Sequence, residues 1–164
     1  MKKAMIRQAP LALDIGDKRD MRSQFAALCF RMRKNKPEVL LITTRGTGRW
    51  IVPKGWPMQG KTPAVAALTE AWEEAGVKGK VYDQCLGVFS YHKDLSPIHE
   101  APCLALVYPV KVDSISRKYP EVGQRRRKWF RLKAAAEKVS EPELSQILRG
   151  FDPNALRKPA RVQG

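Results

Sequence analysis

From residue 55 to residue 77 the chain reads GWPMQGKTPAVAALTEAWEEAGV, a stretch with clear signals for the start and the end of a helix. Thr62 suits the N-cap, Pro63 suits the first turn, and Gly76 suits the left-handed residue that ends a helix. Between these signals apolar residues recur at spacings of three and four, so one stripe of the helix faces a core. The stretch therefore predicts a helix at about residues 62–75.

Three acidic side chains of this helix, Glu70, Glu73 and Glu74, stand at positions i, i+3 and i+4. Carboxylates at these spacings share one helix face and repel one another by about a few tenths of a kcal/mol per pair. Mg²⁺ prefers carboxylate oxygens and bridges to the phosphates of a substrate. The cluster therefore indicates a metal site, although the same spacing also occurs on solvated surface helices.

The order of glycines and glutamates in this stretch resembles the Nudix box, G-x5-E-x7-R-E-U-x-E-E-x-G-U, where U is a bulky apolar residue. The positions that match in full are Gly55, Glu70, Glu73, Glu74, Gly76 and Val77. Ala71 is a small apolar residue at the first U position, Lys61 replaces the first glutamate, and Thr69 replaces the arginine. In the family that arginine pairs with a box glutamate and orients it, and the first glutamate supports the metal cluster. The two replacements leave a second interpretation open, in which the box binds without catalysing.

The resemblance covers roughly residues 22–150 and implies an α+β fold, an α/β/α sandwich in which a mixed sheet lies between helices. The residues themselves predict strands at 24–32, 38–44, 49–53, 80–91, 102–112 and 129–132. Residues 113–124 are polar and predict a loop. A short helix is predicted at 133–139, followed by a last helix to Leu148 with Ser140 and Glu143 as its capping box.

The predicted organisation is one domain at residues 22–150, preceded by an N-terminal arm at 1–21 and followed by a flexible basic tail at 151–164. Within the family, the chain is similar to the branch that hydrolyses diphosphoinositol polyphosphates and diadenosine polyphosphates. The shared features are WIVP before the box, EEAGVKG at its end, and a basic cluster before Trp129 and Phe130.

By family match, Glu70, Glu73 and Glu74 are the catalytic and metal-binding residues, and the backbone carbonyl of Gly55 completes the metal shell. The resemblance implies Mg²⁺ as the cofactor, with Mn²⁺ as a second candidate. It also implies hydrolysis of a diphosphate linkage, with Glu70 as a ligand or the general base.

Substrate phosphates are expected to meet cations around this pocket. The residues predicted from the family to bind substrate are Arg22, Arg45, Lys54 and Arg125. A further carboxylate from a loop often joins the site in this family, and Glu100 and Glu121 are the two candidates.

The formal net charge of +15 attracts polyanions without identifying one. An anionic diphosphate small molecule is the expected partner. RNA is a weaker expectation, either as a bound ligand or as the substrate of a 5′-pyrophosphohydrolase, because the run QRRRK at 124–128 also suits RNA phosphates.

The sequence shows no run of about 20 apolar residues and no signal-peptide core, so we expect a cytoplasmic protein that makes no membrane contact. The three cysteines, Cys29, Cys85 and Cys103, are predicted to be buried thiols in a reducing compartment. Nothing in the sequence indicates an oligomeric state.

Overall fold

The computed structural model of the chain describes residues 22–94 and 100–161. In chain order the elements are β1 (Arg22–Arg33), β2 (Lys36–Thr43), β3 (Trp50–Ile51), β4 (Lys54–Gly55), α1 (Pro63–Ala75), β5 (Val77–Val81), β6 (Gly87–Asp94), β7 (Glu100–Ile115), β8 (Arg127–Arg131), α2 (Leu132–Lys138), α3 (Pro142–Gly150) and a 3₁₀ turn (Pro153–Ala155).

The strands form one mixed sheet in the order β3-β2-β1-β7-β5, with β4 beside β1, β6 beside β7 and β8 beside β2. The pair β1 and β7 is parallel, and the other pairs are antiparallel. Helix α1 packs on β1, β4 and β5, while α2 and α3 pack on β2 and β6. This is the predicted α+β architecture of a mixed sheet flanked by helices.

Helix α1 forms as the sequence predicts. The hydroxyl of Thr62 accepts a hydrogen bond from the Val65 amide at 3.2 Å, and Pro63 opens the helix. Gly76 ends it with φ of 71°, and its amide donates to the Trp72 carbonyl at 2.9 Å. Only glycine adopts that conformation without strain, so the C-terminal end of the box is fixed.

The Thr62 cap gives a direct stability prediction. Thr62→Ala leaves a helix amide without its partner, and we expect it to lower the free energy of unfolding by about 1 kcal/mol in urea denaturation. Ser140→Ala is the matched control, because Ser140 lies before α3 without capping it and we expect no change there. Equal effects of the two substitutions would contradict the assignment of the cap.

Three sequence predictions of secondary structure are wrong. Residues 80–91 form parts of two strands, β5 and β6, rather than one. Strand β7 continues to Ile115, into the predicted loop, because Val77 of β5 pairs with Ile115. The N-cap of α3 is Glu141, whose side chain makes no capping hydrogen bond to the helix, so Ser140 and Glu143 do not form a capping box.

The predicted flexible tail is also corrected where the structure describes it, at residues 151–161. Phe151 is buried, and its ring lies 5.0 Å from that of Phe30. The Ala160 amide donates to the Val81 carbonyl at 2.7 Å. The segment therefore packs on the domain. The predicted arm at 1–21 and residues 162–164 lie outside the described residues.

The cysteines divide into two kinds. Cys29 and Cys103 are buried, as predicted, and burial raises the pKa of the Cys29 thiol well above its usual range. Cys85 is exposed, so the prediction of a buried thiol is wrong there. The reason is that Cys85 lies between β5 and β6, where a single continuous strand was expected.

Among the helices that the structure describes, none is both long and apolar enough to cross a membrane.

Candidate active site

The acidic face of α1 lies over the short strand β4. Glu70 is buried, and Glu73 and Glu74 are partly buried. The carboxylate of Glu70 lies so close to the Gly55 backbone that a Cβ atom at Gly55 would overlap it. Only glycine at position 55 leaves room for the Glu70 side chain. The contact joins the first residue of the box to the acidic face of its helix.

The environment of Glu70 favours its protonated form. The pKa of Glu70 is raised to about 7, first by burial and then by the charges of its acidic neighbours Glu74, Glu73 and Glu121, while the charge of Arg125 opposes the rise. A carboxyl group with this pKa exchanges a proton near neutral pH.

Glu74 is held on both of its oxygens. Oε1 accepts a hydrogen bond from the Lys54 amide at 3.2 Å, and Oε2 lies 3.4 Å from Nη2 of Arg125. Burial raises the pKa of Glu74, and the charge of Arg125 and the Lys54 amide oppose that rise. The carboxylate thus has a defined orientation at the end of β4.

The structure brings a fourth carboxylate to this face. Glu121, one of the two acids considered as a further ligand, has its amide 3.0 Å from the Glu73 carbonyl, so its loop is fixed to α1. The side chain of Glu100, the other candidate, is outside what the structure describes.

This donor set has the chemistry that a hard divalent cation requires. Glu70 is buried among acidic neighbours whose charges raise its pKa, and a divalent cation would stabilise its ionised form. Carboxylate and carbonyl oxygens are the ligands that Mg²⁺ prefers. Within residues 22–94 and 100–161, however, no three His, Cys, Asp or Glu side chains are already arranged to hold an ion. The residues fit such a cation in kind, and their carboxylates would have to adjust to bind it.

The four predicted substrate-binding cations occupy different environments. The Lys54 ammonium lies 4.8 Å from the centre of the Tyr91 ring, beside the box, and Arg22 is exposed at the start of β1. Arg45 is exposed and donates to the Gln124 side chain at 2.9 Å. Arg125 faces inward instead, with 11% of its side chain exposed, and contacts carboxylates. The Arg125 guanidinium is thus paired with protein carboxylates, and its predicted role in substrate binding stays a prediction.

Sequence reasoning missed a polar pair beneath Lys54. Gln24 of β1 is buried, and its side-chain oxygen accepts a hydrogen bond from the Tyr91 hydroxyl. Burial raises the pKa of Tyr91 above its usual range, so the hydroxyl stays protonated and can donate. The pair joins strands on either side of β7, and no local sequence signal indicates such a contact.

The basic side chains of the run at 124–128 point in different directions. Arg127 points inward, where Nη2 donates to the Ser116 carbonyl at 2.8 Å. Arg126 and Lys128 lie over the rings of Trp50 and Phe130, at 5.1 Å and 5.5 Å. With Arg125 also facing inward, the run does not form one continuous surface for RNA phosphates.

Comparisons with known proteins show which family the chain belongs to. The family model of the NUDIX domain matches residues 22–151. Human diphosphoinositol polyphosphate phosphohydrolase 3-alpha is 34% identical over 122 residues, which are 73% of this chain and 70% of the human protein. The chain belongs to the Nudix family of diphosphate hydrolases.

Solved structures of other hydrolases share the fold. The Ap4A hydrolase of C. elegans superposes with a TM-score of 0.57 at 18% identity, covering 79% of this chain and 95% of that one. The E. coli dihydroneopterin triphosphate pyrophosphohydrolase has a TM-score of 0.60 at 17% identity, covering 83% and 100% of the two chains. At these identities the likeness concerns the fold alone.

The two departures from the Nudix box contact each other. The Lys61 ammonium donates to the Thr69 hydroxyl at 3.1 Å, and that hydroxyl donates to the Val65 carbonyl at 2.9 Å. Among the described hydrogen bonds and ion pairs, none joins Lys61 or Thr69 to a box carboxylate. Lys61 therefore does not stand in for a metal ion among the glutamates.

Proposed function

We propose that this Nudix protein hydrolyses a diphosphate linkage in a highly anionic small molecule, in a reaction that depends on Mg²⁺. The observation that carries the proposal is the buried carboxylate of Glu70, placed against Gly55 and surrounded by Glu73, Glu74 and Glu121. On a solvated surface helix the Glu70 carboxylate would lie in water, where the pKa of a glutamate stays near about 4 to 5.

The residues that would hold Mg²⁺, or Mn²⁺ as a second candidate, are Glu70, Glu73, Glu74 and the Gly55 carbonyl. Glu121 is the candidate for an added carboxylate. When bound, such an ion neutralises phosphate oxygens and lowers the pKa of a coordinated water. Lys54 fixes Glu74 through its amide and leaves its ammonium group near the same site.

Water attacks phosphorus and the bond to the leaving phosphate oxygen breaks, so one proton must leave the attacking water. Glu70 is suited to accept it, because a base whose pKa lies near 7 is half unprotonated at neutral pH and releases the proton readily afterwards. Burial excludes competing water from that carboxylate. We assign Glu70 the role of general base or ligand, and Glu73 and Glu74 the role of ligands.

Substrate phosphates would be bound by Lys54, with Arg22 and Arg45 as outer cations. Tyr91 supports the Lys54 ammonium with its ring face, since a cation near an aromatic face is stabilised electrostatically. The net charge of +15 raises the local concentration of any polyanion.

The proposed substrate class is a diphosphoinositol polyphosphate or a dinucleoside polyphosphate. The human relative is named for the first class and the C. elegans hydrolase for the second, and both names support the proposal. RNA has less support, because the run at 124–128 is partly buried. The free cysteines support a reducing location, and we propose the cytoplasm.

The test is a substrate panel followed by phosphorus NMR, with purified protein and Mg²⁺. The panel contains inositol pyrophosphates, diadenosine polyphosphates, nucleoside triphosphates and triphosphorylated RNA. We expect new phosphate signals from one of the first two classes, and none when a chelator replaces Mg²⁺. Cleavage of RNA alone would select the 5′-pyrophosphohydrolase, and binding shifts without cleavage of any compound would show a non-catalytic box.

A further inference from the structure

Arg125 is a cation near the box that contacts three oxygen partners of the protein. Its Nε donates to Oε1 of Glu121 at 3.2 Å, its Nη2 lies 3.4 Å from Oε2 of Glu74, and its Nη1 donates to the Thr43 carbonyl at 3.2 Å. All three nitrogens of the guanidinium group thus have an oxygen partner. These contacts engage one N–H on each nitrogen, three of the five N–H donors of the group, so most of its hydrogen-bonding capacity is directed to the protein.

The surroundings of Arg125 are equally closed. The side chains of Arg125 and Glu74 are 11% and 12% exposed, and that of Glu121 is 25% exposed. An arginine between two partly buried carboxylates compensates their charge, and its planar fork sets their orientation.

The main chain on either side of Arg125 is also fixed. The Arg126 amide donates to the Thr43 hydroxyl at 2.9 Å, and the Thr43 amide donates to the Arg126 carbonyl at 3.0 Å. On the other side, the Glu121 amide is bonded to α1 at Glu73. Arg125 therefore connects the end of β2, the loop at 121 and the acidic face of α1 as one rigid unit.

Box position 69 does not supply this contact. Thr69 is occupied by Lys61 and by the carbonyl one turn earlier in the helix. A cation that fixes Glu74 has to come from elsewhere in the chain, and Arg125 comes from 51 residues after Glu74 (125 − 74 = 51).

We propose that Arg125 is a positioning residue that orients Glu74 and Glu121 for the divalent cation, and that it does not bind substrate. This inference rests on the proposed function, since it assigns Glu74 to the metal. Residues that orient metal ligands commonly contribute about 10- to 100-fold to metal affinity or activity.

The experiment compares Arg125→Ala and Arg125→Lys with the control Arg126→Ala. Titration calorimetry measures the Mg²⁺ affinity of each variant, and steady-state kinetics on the best compound of the panel measure kcat and KM. Arg126 is the matched control, because it is the adjacent arginine and its guanidinium lies over Trp50, away from the carboxylates. We expect Arg125→Ala to weaken Mg²⁺ binding and to lower kcat, each by about 10-fold or more, with KM changed by less than about threefold. Arg125→Lys should recover only part of the loss, because the lysine ammonium is a compact point charge without the rigid planar fork of arginine. Arg126→Ala should match the wild type.

Three results would overturn the inference. The first is unchanged Mg²⁺ affinity in Arg125→Ala. The second is a raised KM with normal kcat, which would make Arg125 a substrate ligand. The third is full recovery by lysine, which would reduce its role to charge alone. If Arg125→Ala fails to fold, Arg125→Lys and Glu121→Gln provide the same measurements. A wild type that binds no Mg²⁺ would overturn the proposed function as well, whereas normal Mg²⁺ binding by every variant would overturn only the role of Arg125.

Discussion

Glu70→Gln is expected to make the protein more stable and nearly inactive. Glutamine has the shape of glutamate but no proton-accepting carboxylate, so we expect kcat to fall by about 1,000-fold, within the range typical of general acid–base groups. In chelator at pH 8, the free energy of unfolding should rise by about 2 kcal/mol, because the wild type must keep a buried carboxylate ionised next to three others.

The gain in stability should depend on pH with a defined sign. The pKa of Glu70 is raised from 4.5 to about 7 on folding, so the folded state holds a proton that the unfolded state has released between these values. Stability from this group is present below pH 4.5 and is lost as the pH rises through 7. The difference between Glu70→Gln and the wild type should therefore be small at pH 4.5 and full above pH 7.

Urea denaturation across this pH range in chelator checks the stability, and steady-state rates with Mg²⁺ check the activity. Glu137→Gln is the matched control, since Glu137 is an exposed glutamate on α2, and it should change neither quantity. A Glu70→Gln protein with the wild-type rate would rule out the catalytic role. A loss of stability at pH 8 would show that the carboxylate is not under electrostatic strain.

Gly55→Ala is expected to abolish most activity while leaving the fold nearly intact. The added Cβ would overlap the end of the Glu70 side chain and come within 2.8 Å of its Cγ. Because the Glu70 side chain is flexible, its carboxylate can turn away. We therefore expect the free energy of unfolding to fall by only about 1 kcal/mol. A catalytic group displaced by about 1 Å can cost on the order of 100-fold in rate, and we expect a loss of that size in kcat.

Gly150→Ala is the control for this substitution, because a Cβ atom there meets no atom within 4 Å. Rates and urea curves for the two variants separate a local displacement from a general effect of losing a glycine. If Gly55→Ala kept its activity, the contact between Gly55 and Glu70 would not matter for the reaction. If it failed to fold, position 55 would be structural instead.

The parts of the fold that local sequence controls were predictable. Helix α1 has its cap, its proline and its left-handed glycine within one stretch, and each acts on its immediate neighbours. The extension of β7 to Ile115 was not predictable in this way, because pairing with β5 overrides the polar character of residues 113–115. The tail at 151–161 packs through a few scattered apolar contacts, such as Phe151 on Phe30, that its composition does not reveal.

The candidate site also combines features that local sequence predicts with features that depend on distant contacts. The spacing of the glutamates and of Gly55 is a local pattern, and the structure brings these residues together. Whether they bind metal stays a prediction. Arg125 and Tyr91 find their partners 51 and 67 residues away in the sequence (125 − 74 = 51; 91 − 24 = 67). Sequence alone located Arg125 near the pocket but gave no information on which way its side chain points.

The most direct test of the account is the rate of diphosphate hydrolysis by the wild type and by Glu73→Gln as Mg²⁺ is titrated, with urea curves for both proteins. We predict that the wild type turns over only with the cation, and that Glu73→Gln loses at least about 100-fold in rate with an unchanged unfolding curve. Equal rates for the two proteins, or wild-type turnover that persists in chelator, would contradict the assignment of this acidic face as the metal-dependent active site.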